Sequence, residues 1–432
     1  MTEFPSPPAV SAGPALAPVS TSERITTLDV LRGIALLGVV IANVWLWFSG
    51  IAFRFPGYRD ELLRVSFDSI VFFAISILVS GKAISTFSFL FGHGFAIQMM
   101  RAEARGRSVV GTYARRLFVL LVIGLLHVSL LWYGDILVPY ALLGFVLILF
   151  RKRADRTLLI WIAILMVGVP LLMGGIPMIM DAAGSPIPVP DLAEVAARNA
   201  ATLAAFQSGS YPDIVRENLD QAAKFYFGRK TLFLLYILGL FILGLYVGRR
   251  RMFEHVSMHR ALFRRIAMWG IPIGLMTGLA IAWMQMQFEP PEVMARPWLA
   301  FVFMVLSMAS MLPLAAGYVS TVTLLLEQRA WARRLGVFAP VGRMALTNYL
   351  TQTIVMVLLF NGYGGGLIGQ TGPAVGLGIA LVVFGFQMIV SAIWLSHYRF
   401  GPAEWAWRSL TYGKPQPMRQ SSPTVAPVPT LT

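Results

Sequence analysis

Ten apolar segments set the terms for anything this chain can fold into. They are 28–48, 67–97, 115–133, 136–150, 158–180, 230–248, 266–287, 298–325, 344–360 and 373–396. A helix needs about 20 apolar residues to cross the hydrocarbon core of a bilayer. Inside lipid, each segment must satisfy its own backbone polar groups, which selects helix. Only 13% of the residues are charged and 57% are hydrophobic, against roughly 25% charged in an ordinary soluble domain. A water-soluble globular enzyme and a disordered chain are both excluded. The expected fold is all-α, a polytopic membrane bundle of about ten transmembrane helices.

The fourth and ninth segments are short for a crossing, and the second is too long for one straight helix. The second holds Gly81-Lys82 and Gly92-His93-Gly94, where a break or re-entrant turn is expected. If both of its halves cross, the count becomes eleven and the parity upstream flips.

Lys and Arg fall unevenly between alternate loops. One set, with both chain ends, carries 25 of the 35; the other carries nine, and Lys82 sits inside a segment. Positive charge collects on the cytoplasmic side, so both termini are expected there. The net charge of +15 then reads as topology and as contact with anionic lipid headgroups. The bilayer, and not nucleic acid, is the expected partner.

Residues 1–22 and 415–432 are rich in Pro, Ala and Ser and read as disordered tails around one membrane domain, 23–414. Its longest external segment is a helical insertion at 181–229. Pro186, Pro188 and Pro190 make an extended stretch; Asp191 caps a helix to about Ser208; Gly209 breaks it before a second helix over 212–227. Zero cysteines exclude disulfides, thiolate zinc sites, iron–sulfur clusters and a thiol nucleophile. No metal site and no covalently bound cofactor are expected.

Ionisable groups inside a membrane segment are functional candidates by default. Asp29 and Arg32 form an i, i+3 pair, and Asn43 returns to the same face. A structural ion pair and a gating pair remain equally open for the first two. His127 follows Arg116 by eleven residues and lies in the outer half of its helix; Tyr133-Gly134-Asp135 closes the next turn. A carboxylate beside an imidazole orients it as a general base, while the plainer reading makes Asp135 a helix cap and His127 a hydrogen-bond partner of a neighbouring helix. Lys82 is a buried charge without an obvious carboxylate. In the ninth segment Arg343, Thr347, Asn348 and Gln352 must line a cavity or bond other helices, and a cavity is slightly favoured.

Several of these residues fall in familiar runs: Leu28-Asp29-Val30-Leu31-Arg32-Gly33, Phe87 to Phe95 around Gly92-His93-Gly94, Arg115-Arg116 through His127 to Gly134-Asp135, and Gly401-Pro402 through Glu404 to Gly413. Together, over about 24–415, they resemble the YeiB-like family of bacterial inner-membrane proteins. The opening motif, with Asn43, is also similar to that of membrane acyltransferases of the heparan glucosaminide N-acetyltransferase group, which use cytoplasmic acyl-CoA to acylate a sugar across the membrane. Those enzymes place a catalytic histidine soon after the first span. This chain has no His between residues 44 and 92, so either that mechanism does not carry over or the base is His127.

The resemblance implies acyl-CoA as cosubstrate, with its phosphates near Arg115, Arg116, Arg151 and Lys152, and an envelope glycan or other periplasmic molecule as acceptor. His127 would be the base and Asp135 its orienter, with Asn43 or Tyr133 positioning the oxyanion or acceptor. A secondary transporter for a small solute and a structural membrane protein without catalysis stand beside it.

Overall fold

The computed structural model describes residues 26–55, 57–104, 110–185, 191–227, 231–288 and 290–420. The expected tail at 1–22, the 186–190 stretch and residues 421–432 lie outside these. Helix α1 (Thr26–Asn43) runs on through a π-turn at Val44–Phe48. Then come α2 (Phe67–Leu78), α3 (Lys82–Ala104), α4 (Val110–Leu130), α5 (Leu137–Leu149) and α6 (Asp155–Ala182). Helices α7 (Leu192–Ser208) and α8 (Tyr211–Phe227) form a pair. They are followed by α9 (Thr231–Arg249), α10 (Val256–Gln287) and α11 (Pro297–Leu326). The chain ends on α12 (Arg329–Arg343), α13 (Ala345–Phe360), α14 (Pro373–His397) and α15 (Pro402–Tyr412).

Among the described residues there is no β-strand, only one antiparallel bridge between Tyr398 and Arg419. Seven helical stretches there are long and apolar enough to cross a membrane. The pair α12–α13, bent by 76°, makes an eighth, and Leu137–Leu149 and Phe233–Arg249 are shorter apolar helices. Large apolar side chains point outward on several of them, among them Phe118, Met276, Trp283, Val382 and Phe386. An apolar belt of this extent is costly in water and ordinary against lipid.

The second apolar segment breaks at Gly81, whose φ of +77° is reached readily only by glycine. Lys82 sits at that break. Its Nζ donates to the Ser76 carbonyl at 3.2 Å, an oxygen near the broken end of α2. Gly92-His93-Gly94 lies inside unbroken α3. There the glycine serves packing, since a Cβ on Gly92 would strike the Phe241 backbone of α9. Lipid gives helices little hydrophobic reason to associate, so close backbone approach through small residues matters. The same device joins α1 to α12: a Cβ on Gly342 would run into the Asp29 carbonyl, and one on Gly33 into the Phe338 carbonyl.

Helices α7 and α8 begin and break where short-range chemistry dictates. The Asp191 side chain accepts from the Ala193 N–H at 2.9 Å, and Gly209 separates the two. The pair clasps the turn between α4 and α5. Asn218 donates to the Leu131 carbonyl at 3.1 Å and accepts from the Tyr133 N–H at 3.3 Å. Tyr211 donates to the Leu130 carbonyl and Tyr226 to the Asp135 carbonyl. Residues 415–420, placed in the terminal tail by their composition, run back along the end of α14. There the Arg399 N–H donates to the Met418 carbonyl at 2.9 Å and Gln420 donates to the Leu395 carbonyl at 2.7 Å.

Candidate active site

A cavity of about 320 Å³ lies between α1, α3, α4, α5, α13 and α15. Its axis can be read from the helices that line it. On α1 the lining residues are Asp29, Arg32, Leu36 and Val39, and on antiparallel α3 they run from Arg101 and Gln98 through Gly94 to Phe91 and Phe87. At 1.5 Å per residue these stripes cover about 15 Å and about 21 Å of depth. The cavity is thus a shaft. Arg32, Arg101, Arg116, Arg343 and Arg408 gather at one end; Leu120, Ile136, Leu137, Tyr140 and Tyr349 form the other.

The arginines are held in different ways. Arg32 pairs with Asp29 at 2.9 Å. Arg116 donates to the Gln98 amide oxygen at 3.0 Å, and its guanidinium lies 4.0 Å from the Trp407 ring centre. Among the described residues neither Arg116 nor Arg343 meets a carboxylate, and the Arg343 Nε is buried without a hydrogen-bond partner. Placing cations in a partly dry cleft without their own anions leaves them available to an anionic ligand.

Glu404, also on the wall, serves the fold. Its carboxylate accepts from the Leu346 N–H at 2.6 Å, the Thr347 N–H at 3.1 Å and the Thr347 hydroxyl at 2.5 Å. It therefore caps the bare N-terminus of α13 after the 76° bend. Burial raises its carboxyl above the usual carboxylate range, and the Thr347 and Leu346 hydrogen bonds pull it back.

Just behind the apolar end lie His127 and Asp135. Nδ1 of His127 is 2.9 Å from Oδ1 of Asp135, and both side chains are almost completely excluded from solvent. The approach lacks the alignment of a regular hydrogen bond. Asp135 is anchored by its other oxygen, which accepts from the Val138 N–H at 2.7 Å. The cap and the imidazole partner are thus the same carboxylate. On its far side, His127 Nε2 meets the Thr353 hydroxyl at 3.0 Å. The Tyr349 ring covers His127, with centroids 5.2 Å apart, and its hydroxyl accepts from the Ile136 N–H at 3.3 Å. Tyr226, outside the bundle, has its phenol pushed up by burial and then by the Asp135 carboxylate, so it stays a neutral donor.

The other candidates from the sequence lie elsewhere. Asn43 is half-buried at the start of the π-turn and does not line the cavity. Tyr133 turns its ring to Trp47, Phe53 and Phe206 under the α7–α8 pair. Arg115 is exposed and donates to the Thr411 carbonyl at 3.4 Å. Arg151 and Lys152 belong to the turn after α5, where Arg249 donates to the Arg151 carbonyl; of the four expected phosphate cations only Arg116 lines the cavity. In the ninth segment Arg343 lines it, while Asn348 and Gln352 turn the opposite way. They bond Ser391 at 3.0 Å and Gln387 at 2.8 Å on α14, and Thr347 is spent on Glu404. Helical geometry separates the two faces: 346, 349 and 353 share one, 348 and 352 the other. The i, i+4 spacing of Tyr349 and Thr353 is the sequence signal of the cavity-side face.

The family model described as "Protein of unknown function (DUF418)" matches residues 247–414. Over nearly its whole length, the chain is 34% identical over 430 residues to the "Uncharacterized protein YxaH" of Bacillus subtilis (strain 168), spanning 94% of this chain and 99% of the relative. The chain belongs to the DUF418 family. It is also 27% identical over 394 residues to the "Uncharacterized protein YeiB" of Escherichia coli (strain K12), across 90% of this chain and 96% of that one. An "Uncharacterized 39.9 kDa protein in amylase 3'region" of Bacillus acidopullulyticus matches at 28% over 404 residues. The segment matched by the DUF418 model holds Arg343, Tyr349, Thr353 and Glu404; His127 and Asp135 precede it. The whole-length likeness to YxaH and YeiB takes in both groups.

Proposed function

We propose that this DUF418 protein is an acyltransferase of the bacterial cytoplasmic membrane, drawing acyl groups from an acyl-CoA-type donor on the cytoplasmic side and passing them to an envelope glycan or another acceptor outside. The observation that carries this reading is the shaft that runs from Arg116 and Arg343 to Tyr349, whose ring covers the buried His127–Asp135 pair. Ten crossings, with both termini cytoplasmic, follow from the arginine-rich loops and put α7 and α8 outside.

The donor's phosphates match Arg116 and Arg343, since guanidinium forks bind phosphate oxygens in pairs. Its acyl end then extends along Leu117, Leu120 and Leu137 toward Tyr349. His127 acts as general base, and Asp135 fixes the ring and stabilises its charged form. The Tyr349 hydroxyl accepts from Ile136, which leaves its own hydrogen free for a developing oxyanion.

The test is CoA binding and thiol release from acetyl-CoA and palmitoyl-CoA by the purified full chain in nanodiscs. Wild type is expected to bind and turn over one of them, and His127→Ala to bind but lose about 10²–10⁴ in rate. Full turnover by His127→Ala would remove this mechanism. A small-solute carrier is the second reading, favoured by the buried Lys82 and the Asp29–Arg32 pair; it predicts flux in proteoliposomes with no thiol release.

A further inference from the structure

Three groups lie side by side just behind the apolar end of the shaft. Asp135 Oδ1 lies 2.9 Å from His127 Nδ1, and His127 Nε2 lies 3.0 Å from Thr353 Oγ1. All three residues are under a tenth exposed. Asp135 caps the next helix through Oδ2, which leaves Oδ1 beside the imidazole, where a second polar contact offsets the cost of burying the charge. The carboxylate at Nδ1 favours the tautomer with its hydrogen there. Nε2 then offers a lone pair to the hydroxyl. Thr353 has one hydrogen and two acceptors to choose from, Nε2 at 3.0 Å and the Tyr349 carbonyl at 3.3 Å; the nearer one is the base. A hydroxyl, a base and an orienting acid in this order make an activated nucleophile.

The surroundings explain why the protein would supply the hydroxyl itself. The shaft runs from the arginine end to Tyr349, whose ring covers His127, and none of Asp135, His127 and Thr353 lines it, so an acyl group reaches Thr353 past that ring. From the other side α8 covers the Asp135 turn through Asn218 and Tyr226. A donor and an acceptor entering from opposite faces have no shared chamber here. An acyl group parked on the protein removes the need for one.

We infer that Thr353 is the nucleophile that carries the acyl group between two half-reactions, an assignment that rests on the acyl-transfer reading above. In the first half, Thr353 Oγ1 bonds the thioester carbonyl carbon and the carbon–sulfur bond breaks. His127 Nε2 takes the hydroxyl proton and gives it to the departing thiolate. In the second, the acceptor's hydroxyl or amine attacks the acyl carbon, its proton passes to His127, and the Thr353–acyl bond breaks as that proton returns to Oγ1. No oxidant, metal or further reactant is needed.

The experiment uses the full chain in nanodiscs with [1-¹⁴C]acetyl-CoA or [1-¹⁴C]palmitoyl-CoA and no acceptor, quenched in acid, with thiol release followed in parallel. The expected result is thiol release with an oxygen-ester label on the peptide holding Thr353. Thr353→Val, nearly the same shape, is expected to lose the label while keeping CoA affinity. Thr353→Ser is expected to keep both, which covers the case of a misfolded valine variant. Thiol release without protein label, label on another residue, or wild-type thiol release by Thr353→Val would overturn the assignment and leave the acyl-transfer reading standing. No thiol release from wild type with either donor would overturn this inference, because an acyl-enzyme must form without an acceptor; the acyl-transfer reading falls separately if wild type binds neither CoA nor either donor.

Discussion

The Tyr349 ring lies against His127 at 5.2 Å between centroids, and its hydroxyl is pinned by the Ile136 N–H at 3.3 Å. The tyrosine therefore both ends the shaft and holds a hydroxyl beside the imidazole. Tyr349→Phe keeps the ring and loses the donor. The expected outcome is a fall in kcat of about 10²–10³, the cost of one oxyanion donor, with KM unchanged. A rise in KM at constant kcat would mean that the hydroxyl serves ground-state binding instead.

Arg343 and Lys152 separate two ideas about the donor's charge. Both are cations near the same end of the bundle by sequence, but only Arg343 lines the cavity. Charge-assisted hydrogen bonds contribute about 1.5–3 kcal/mol, so Arg343→Gln is expected to weaken CoA affinity by roughly 10- to 100-fold. Lys152→Gln is expected to leave it unchanged. Isothermal titration with CoA itself reads both, and equal losses would show a diffuse surface field in place of a site.

Gly342 is a packing position whose test needs no substrate. A Cβ there would collide with the Asp29 carbonyl, which is backbone and cannot rotate away. Gly342→Ala is expected to cost about 1–3 kcal/mol, seen as a lower melting temperature by tryptophan fluorescence in detergent. An unchanged melt would show that α1 and α12 part easily.

The helical bundle was legible because lipid leaves an apolar segment little alternative to helix, and each apolar segment coincides with a helix or a bent pair. Asp135 was legible twice over, as cap and as partner of His127, and it is both. The α7–α8 pair was marked by Asp191 and Gly209, local signals that tertiary packing does not override. What escaped was direction around the helix. Asn348 and Gln352 are polar in the same stretch as Arg343, yet they face α14, because the bend at Met344 turns the helix about the point where Arg343 leaves it. Arg151 and Lys152 were grouped with Arg116 by charge, and the fold sends their turn to Arg249. Charge along a sequence reports the side of a membrane, and only the packing of helices reports the cavity.

The cysteine-free chain suits single-cysteine labelling without further changes. Arg153→Cys, in an arginine-rich turn, is expected to react with a membrane-impermeant maleimide only in opened vesicles. Asp220→Cys, on exposed α8, is expected to react in intact spheroplasts. The opposite pattern would turn the bundle over and place the shaft's arginine end outside.

Glu404 makes the fold's own pH dependence calculable in sign. Its carboxyl is raised above the ordinary 4.5 by burial, so the native state keeps this proton at pH values where the unfolded chain has lost it. Stability from this group is therefore fully present below pH 4.5 and is lost as pH rises through the folded value. Glu404→Gln keeps an oxygen for the Leu346 and Thr347 N–H groups and cannot ionise. It is expected to flatten that part of the melting temperature's fall with pH. Glu404→Ala removes the cap, costing about 0.5–2 kcal/mol, and lowers the melt at every pH. Melts followed by tryptophan fluorescence between pH 4 and 8 read all three proteins. If Glu404→Gln tracks wild type across that range, the carboxyl is already ionised in the fold and the cap is a full carboxylate throughout.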